Sequence, residues 1–455
     1  MKEYDVLVIG SGCGINIVNE ALAHGMEVAL VDKGPLGGTC PNLGCIPSKM
    51  LIFAADRIAE IQEAEKLGIK AEVRGVDFGF IMERMRKSVS ENQEHMRRGI
   101  SQMEKLDFYE SEGHFTGEYT LEVNGEQIKG KKIFIASGSR PMIPPIKGLS
   151  GVDYLTNETI LQLKERPDDL LIIGGGYIAV EYGHFFAAMG TRVTMIEMAD
   201  RLVLAEEPEI SALLKKELSR RMDIYTGIQA EEVKSNGHNV TVVANDSKGG
   251  GKKKFTAQKI LVAVGRRSNA DLLKVENTGV EVDKRGFVKV DEYLETTKKN
   301  IFAVGDANGQ QMFTHVANQE AVTATHNAMH GSRLKMDYSA APHAVYSHPQ
   351  IASVGLTEED ARKTHKVLLG KANYSDVAQG EAMMEESGFA KAIVEVDSEK
   401  ILGFHIIGPY APILLQEVIN VMASGGNINH LQAGMHIHPA LPELILETLS
   451  NLEET

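Results

Sequence analysis

Cysteine is scarce, and its scarcity is the first constraint. Three cysteines among 455 residues cannot build the disulfide framework of a small secreted domain, so a pair of them points to a redox, catalytic or metal-binding role rather than to stapling. An excess of basic charge is also missing. Lys and Arg number 48 against 62 Asp and Glu, a net charge of −14, which repels phosphate backbones and anionic lipid and argues against a nucleic-acid partner. No apolar run approaches the roughly 20 residues needed to cross a bilayer. No leader of charged, apolar and small residues precedes Asp5-Val6-Leu7-Val8-Ile9, so the expectation is a cytoplasmic protein, or a mature organellar chain whose transit peptide is gone, without a membrane partner. The remainder, 43% hydrophobic and 24% charged, is ordinary globular composition.

One pattern occurs twice: a short apolar strand, a glycine cluster, a helical stretch, and a second strand closed by an acid. The first copy is Val6-Leu7-Val8-Ile9, then Gly10-Ser11-Gly12-Cys13-Gly14-Ile15, a helical stretch to about His24, and Val28-Ala29-Leu30-Val31-Asp32. The second is Leu170-Leu171-Ile172-Ile173, then Gly174-Gly175-Gly176-Tyr177-Ile178-Ala179, a helical stretch to about Met189, and Val193-Thr194-Met195-Ile196-Glu197. The acids lie 22 and 23 residues after the first glycine of each cluster. Each copy reads as a βαβ unit that binds a dinucleotide. Glycine lets the backbone approach the pyrophosphate, the helix N-terminus supplies N–H donors and partial positive charge, and the acid accepts from ribose hydroxyls. The third glycine of the fingerprint is replaced by Ala179, a permitted variant, and by Ile15, a departure that predicts looser helix–strand packing in the first copy. Cys13 reads as a small packing residue of that turn. Glu197 accepts from a ribose 2′-hydroxyl but repels a 2′-phosphate, so NAD is expected over NADP, with Arg201 close enough to soften the preference.

Between and after these units the chain is strand-rich. Residues 115–135 read as hairpin strands around the turn dipeptide Asn124-Gly125. The run Lys252-Lys253-Lys254, behind Gly249-Gly250-Gly251, reads as a solvated hairpin loop. From about Tyr338, strand-like segments (Ala344-Val345-Tyr346, 390–396 and 401–407) precede two helical stretches, the pattern of a separate α+β domain. The fold class expected is α/β, with two Rossmann-like dinucleotide-binding domains and a C-terminal α+β domain. The boundaries read are 1–145, 146–264, 265–336 and 337–455.

The most informative stretch is Gly37-Gly38-Thr39-Cys40-Pro41-Asn42-Leu43-Gly44-Cys45-Ile46-Pro47-Ser48-Lys49. Two cysteines five positions apart, at the mouth of a nucleotide unit and opening a helix, can close a small strained disulfide whose thiolates the helix N-terminus stabilises. Such a pair is poised for exchange. A zinc site needs further Cys or His ligands nearby, and this segment holds none, so no metal is expected. Near the C-terminus, His436-Ile437-His438-Pro439-Ala440-Leu441-Pro442-Glu443 carries a candidate base. Dithiol oxidation needs one near physiological pH, which histidine supplies. Pro439 and Pro442 suit the start of a helix, from which Glu443 can turn back to orient the His438 imidazole. His436 is the residue most easily mistaken for it.

With the runs Gly174 to Glu181 and Ile301-Phe302-Ala303-Val304-Gly305-Asp306, these motifs resemble those of the class I pyridine nucleotide-disulfide oxidoreductases over nearly the whole chain. The resemblance implies that residues 1–145 and 265–336 hold FAD, 146–264 hold NAD, and 337–455 form a dimerisation domain. It implies FAD contacts at Gly10, Gly12, Gly14, Asp32, Lys33, Thr39, Ser137, Gly138, Asp306 on the ribityl chain, and His315, where a helix beginning near Phe313-Thr314-His315 points at the flavin. NAD contacts are implied at Gly174, Gly176, Tyr177, Ile178, Glu197 and Gly265, with Tyr177 as a lid over the nicotinamide. Cys45 is then the flavin-proximal sulfur, Cys40 the sulfur that exchanges with substrate, Lys49 and Glu181 a pair beside flavin N5, and His438 with Glu443 the base that reaches the disulfide of the other subunit in a homodimer. The implied partner is a small dithiol or disulfide, or a lipoyl-bearing protein. The implied reaction is oxidation of dihydrolipoamide with NAD as acceptor or, in the opposite direction, reduction of a low-molecular-weight disulfide of the mycothione type. A non-catalytic flavoprotein subunit is the reading that the intact Cys, His and Glu set argues against. A mercuric reductase needs a C-terminal cysteine pair, and no cysteine follows Cys45.

Overall fold

Along the strand Lys2–Ile9, Val6 and Val8 point to one face and Leu7 and Ile9 to the other, and all four are buried. A strand apolar on both faces belongs in the middle of a covered parallel sheet. The computed structural model, which describes residues 1–454, places it there. Lys2–Ile9 pairs in parallel with Val28–Val31 and with Glu126–Ile135. Leu106–Tyr109 and Ile301–Ala303 extend the parallel array on either side. The antiparallel strands Gly113–Gly117 and Thr120–Val123 complete a seven-stranded sheet. The Asn124-Gly125 turn is as expected, both residues having positive φ (53° and 78°) as a type I′ hairpin requires. Helices Gly14–Ala23 and Thr314–Met329 supply Ile17, Val18, Ala21, Ala321 and Ala324 to the layer over Val6, Val8, Phe134 and Phe302, while Leu7, Ile9, Ile133 and Ile135 pack with Phe115 and Val288 on the opposite face. This unit comprises Met1–Ser48, Met82–Met142 and Gly265–Met336.

The other unit comprises Lys49–Ile81, Ile143–Val264 and the chain from Asp337 on. It holds three sheets. A parallel one runs Asp223–Thr226, Arg192–Glu197, Asp169–Ile173, Lys259–Val262. Beside it in the chain, Ile228–Ser235, Val240–Asp246 and Gly251–Ala257 form an antiparallel triplet. Here one expectation fails: Lys252, Lys253 and Lys254 lie within the last of these strands rather than in a loop. Ladder pairing with Val240–Asp246 decides this, and two of the ammonium groups find acids across the sheet, Lys252 with Glu231 (3.1 Å) and Lys253 with Asp246 (2.9 Å). The third sheet is antiparallel, in the order Pro342–Val345, Ile351–Gly355, Ile401–Ile407, Phe389–Glu395, Val367–Asn373, Glu453–Glu454. Three helices rather than two follow its main strands: Ala411–Ala423, Ile428–Gln432 and Glu443–Ser450. The additional one has five residues, too few to show a helical period.

A row of polar side chains crosses this third sheet. His343, Ser353, His405, Lys391 and Lys371 are direct partners from strand to strand. Facing them is the acidic run Glu206-Glu207-Pro208-Glu209, which leads into helix Pro208–Leu218. Glu206 accepts from His343 Nε2 (2.7 Å) and Ser353 Oγ (2.6 Å), Glu207 from Lys391 Nζ (2.9 Å), and Glu209 from Lys371 Nζ (2.5 Å). Lys391 also binds Glu209 (3.0 Å) and Glu358 (2.7 Å). Burial would lower the Lys391 pKa, but hydrogen bonds to Glu358, Glu207 and Glu209 raise it above the usual lysine value. Glu207 is 2% exposed, so removing its cation strands a buried charge. Lys391→Ala is expected to cost about 3–5 kcal/mol of unfolding free energy in urea, against about 0–1 kcal/mol for Lys371→Ala, whose side chain is exposed. Equal losses would show that the row carries no buried-charge constraint.

Candidate active site

The first glycine turn is held by backbone contact. Gly10 has φ +100°, and a β-carbon there would lie 2.2 Å from the Ala136 carbonyl oxygen. The close helix–strand approach that Ile15 put in question is present, one position earlier: a β-carbon at Gly14 would sit 2.8 Å from Val8 Cγ1. Ile15 instead joins the apolar layer beside the helix. Gly12 opposes the next glycine turn, where a β-carbon on Gly38 would be 3.0 Å from Gly12 Cα. Cys13 lies in the turn as a packing residue, and burial pushes its thiol up to about 12. Asp32 accepts from the amides of Ser11 (2.5 Å) and Gly34 (2.6 Å), which fixes its carboxylate at the strand end where a ribose would present its hydroxyls.

Several groups at and beside this turn suit a dinucleotide. Helix Gly14–Ala23 begins with no side chain capping its amides. Ser137 Oγ is fully buried and has no hydrogen-bond partner among the described residues, and Gly138 follows with φ +66°. Asp306 accepts from the Ser139 hydroxyl and lies 3.5 Å from the Arg266 guanidinium. A flavin dinucleotide fits such a set. Lys33 is exposed and paired with Glu112 (3.2 Å). His315, in the first turn of helix Thr314–Met329, stacks on Phe313 with ring centroids 5.8 Å apart.

The cysteines occupy two helical segments broken at Gly44. Thr39–Leu43 carries Cys40, and Cys45 opens the 19-residue helix Cys45–Glu63, where the helix dipole favours a thiolate. Cys45 Sγ lies 3.7 Å from Thr314 Oγ1. Asn42 pins the loop by donating to the carbonyls of Leu36 (2.8 Å) and Gly38 (2.7 Å), and Gln93 donates to Leu36 O (2.6 Å) and Asn42 Oδ1 (2.5 Å).

In the other unit the second glycine turn repeats the first. Gly174 has φ +119°, and its β-carbon would lie 2.2 Å from Ala263 O. A β-carbon on Gly175 would come within 2.9 Å of Glu197 Cγ, whereas one on Gly176 would meet nothing within 4 Å. Helix Tyr177–Ala188 again starts without a side-chain cap, Tyr177 and Ile178 are half-buried, and Glu197 accepts from Ala199 N (2.6 Å). These residues fit a second dinucleotide. Gly265, grouped with them on sequence, is counted into the first unit, where its carbonyl accepts from Met142 N (3.0 Å).

The unit that carries the second glycine turn holds two further pairs among the candidate residues. Lys49 Nζ donates to both oxygens of Glu181 (3.0 and 2.8 Å), Glu181 also accepts from Tyr346 N (2.9 Å), and the ammonium sits 4.6 Å from the Tyr346 ring centroid. His438 Nδ1 lies 2.7 Å from Glu443 Oε1. The Ala440 amide, donating to Glu443 Oε2 (2.9 Å), and then His438 hold the Glu443 carboxyl below its usual range. The two neighbouring histidines differ sharply. The His438 side chain is 73% exposed, while that of His436 is 9% exposed and bound to Glu417 (3.2 Å).

A family model for pyridine nucleotide-disulphide oxidoreductases matches residues 4–321, and one for the dimerisation domain of the same family matches 341–449. The chain belongs to this family. Similar proteins include a mycothione reductase of Mycobacterium tuberculosis (36% identical, covering 99% of this chain and 100% of the relative) and a dihydrolipoyl dehydrogenase of Geobacillus stearothermophilus (34%, covering 98% and 95%). Among solved structures, the HOCl-induced flavoprotein disulfide reductase RclA of Escherichia coli superposes with a TM-score of 0.87 at 27% identity, covering 98% of this chain and 99% of that one. This flavoprotein disulfide oxidoreductase therefore works with FAD and NAD(P)H, and carries the family's dimerisation domain. No helix among the described residues is long and apolar enough to cross a membrane.

Some contributors were not legible in the sequence. Ser139 and Arg266, which hold Asp306, and Thr314 and Tyr346, which meet Cys45 and Glu181, come from distant segments. Ser139, Arg266 and Thr314 adjoin Gly138, Gly265 and His315, motif residues that could have drawn notice to them, whereas Tyr346 adjoins none. The contrast between the two histidines has a direct consequence. His438→Gln is expected to slow dithiol turnover by about 10²–10⁴-fold while flavin reduction by NADH survives, whereas His436→Gln leaves the dithiol half-reaction close to normal. Comparable losses in the two variants, measured by stopped flow, would remove His438 from the role of base.

Proposed function

We propose that this oxidoreductase oxidises dihydrolipoamide to lipoamide with NAD as acceptor, through a Cys40–Cys45 disulfide. Glu197 carries the choice of nucleotide. Its carboxylate ends the strand Arg192–Glu197 beside the Gly174 turn, where it favours a 2′-hydroxyl and disfavours a 2′-phosphate. Arg201 is engaged with the Leu204 carbonyl (2.9 Å). A dehydrogenase that passes electrons to NAD suits dithiol oxidation. We further propose residues 1–145 and 265–336 as the flavin domain, 146–264 as the nicotinamide domain, and 337–455 as the contact of a homodimer in which His438 serves the cysteines of the other protomer.

In the dithiol half-reaction, His438 Nε2 accepts the proton of one substrate thiol, and Glu443 stabilises the imidazolium through Nδ1. The substrate thiolate attacks Cys40 Sγ, the Cys40–Cys45 bond breaks, and Cys45 leaves as a thiolate favoured by its helix N-terminus. The second substrate thiol gives up its proton, which ends on the departing Cys40 sulfur, breaks the mixed disulfide and closes the ring of the product disulfide, an intramolecular step with high effective concentration. Two electrons pass from the substrate dithiol to the cysteine pair. Bound FAD and NAD supply the acceptors that restore the disulfide. Lys49 and Glu181 hold a half-buried ion pair.

A second reading is favoured by the end-to-end match with mycothione reductase: reduction of a low-molecular-weight disulfide by a nicotinamide nucleotide. A substrate panel separates the two. Dihydrolipoamide with NAD is expected to turn over, NAD(H) to exceed NADP(H) in kcat/KM, and glutathione disulfide to react slowly. Negligible dihydrolipoamide activity in a yellow preparation whose flavin NADH reduces would promote the second reading. A kcat/KM favouring NADP(H) would overturn the argument from Glu197. With no tryptophan in the chain, flavin emission is read without that background. Cys45→Ser is expected to abolish the long-wavelength thiolate–flavin absorbance and Cys40→Ser to retain it; the opposite pattern reverses the two sulfurs.

A further inference from the structure

We propose that His343 is a positioning residue for the nicotinamide half of the reaction: with Glu206 it latches Tyr177 across the mouth of the second glycine turn, so that an entering nucleotide must displace the Tyr177 ring from the His343 imidazole. The proposal rests on the assignment of the Gly174–Glu197 unit to the nicotinamide nucleotide, and it adds a residue that no nucleotide motif contains.

Tyr177 is the first residue of helix Tyr177–Ala188, whose uncapped amides are the donors a pyrophosphate would take. Its ring therefore overhangs the place where the nucleotide docks. That ring lies against His343, with centroids 5.7 Å apart and planes inclined by 22°, an offset stack. His343 comes from the strand Pro342–Val345 and is itself fixed, because its Nε2 donates to Glu206 Oε1 at 2.7 Å. Glu206 is fully buried, and its other oxygen accepts from Ser353 Oγ at 2.6 Å, Ser353 being the direct cross-strand partner of His343. Burial alone would raise the Glu206 carboxyl, yet the His343 hydrogen bond and charge, Ser353 and His405 hold it below the usual carboxylate range. Tyr177 is also hydrogen-bonded to Glu206, and burial with the Glu206 charge raises its phenol above the ordinary value. A buried carboxylate is costly unless its acceptor sites are filled, so Glu206 keeps all three donors in register. The latch thus has two parts: a ring to lie on and a carboxylate that fixes both rings.

A nucleotide that must break the stack binds less tightly by the fraction of molecules in which the lid is closed. Two variants separate the parts. His343→Gln retains a donor for Glu206 and removes the ring; His343→Phe retains a ring and removes the donor. In the holoenzyme, His343→Gln is expected to lower KM for NADH by about two- to tenfold, the range that loss of an aromatic stack implies. Flavin reduction by dithiothreitol, which tests the cysteine half without regard to the physiological thiol, is expected to proceed at the wild-type rate. His343→Phe is expected to return KM towards wild type. An unchanged or raised KM in His343→Gln, a His343→Phe enzyme that behaves like His343→Gln, or a parallel loss in both half-reactions would overturn the latch while leaving the nucleotide assignment in place. A wild-type flavin that neither NADH nor NADPH reduces would overturn that assignment and the latch with it.

Discussion

Both nucleotide units depend on one close approach of backbone to backbone. At Gly10 and again at Gly174, the chain leaves a strand with positive φ and passes so near the carbonyl of the adjacent strand end, Ala136 or Ala263, that a β-carbon would lie 2.2 Å from the oxygen. No side chain fits there. The approach sets where the following helix begins, and so where its uncapped amides point. It also sets where the acid of the next strand stands, since Asp32 accepts from the amide of Ser11 and Glu197 packs against Gly175. One contact thereby places the first amides of a helix and the acid of the next strand together, twice in one chain.

A different constraint governs the segment 206–209. Three glutamates in four residues would repel one another and any apolar surface, yet they lie on the C-terminal sheet because His343, Ser353, His405, Lys391 and Lys371 stand opposite one another across five strands. The side-chain period of a strand is two, so a slip of one residue in any of these pairings would turn that residue to the other face and strand an acid. The polar row therefore specifies register as well as attachment. Its Glu206 end differs from its Lys391 end in chemistry: at Lys391 a fixed cation neutralises carboxylates, whereas at Glu206 the partners are a histidine and two hydroxyl groups, which hold a charge by hydrogen bonds more than by countercharge.

The parts of this architecture that were legible in the sequence are those written in short windows. The two glycine turns with their acids, the Asn124-Gly125 hairpin, the cysteine segment and the His438–Glu443 pair each depend on residues within about 25 positions, the length of a βαβ half-unit. Lys252–Lys254 misled because three lysines after three glycines carry the composition of a loop, while their conformation is decided by the partner strand Val240–Asp246 and by acids that no local window contains. Ile15 misled in a smaller way: the position that must lack a side chain had moved to Gly14, and a fingerprint read by fixed spacing looks one residue too far. The polar row across the C-terminal sheet was invisible for the same reason as Ser139 and Arg266 beside Asp306. Its members are far apart in the chain and are brought together only by strand order.

The redox residues also explain why substrate is the hardest property to read from such a chain. A cysteine at a helix N-terminus and a histidine held by a carboxylate act on sulfur and protons alone, and nothing in their geometry refers to the rest of the thiol. Relatives named for mycothione and for dihydrolipoamide match this chain over nearly its full length at 36% and 34% identity, so the shared scaffold does not separate them. A dithiol that closes its own ring needs little surface beyond the two sulfurs, because its second step is intramolecular. A bulky disulfide must instead be held in two halves while one leaves. The distinction therefore falls on groups that touch the substrate's tail and, on the function proposed above, on Glu197, whose carboxylate would bias the electron acceptor and with it the direction in which the cysteine pair is used.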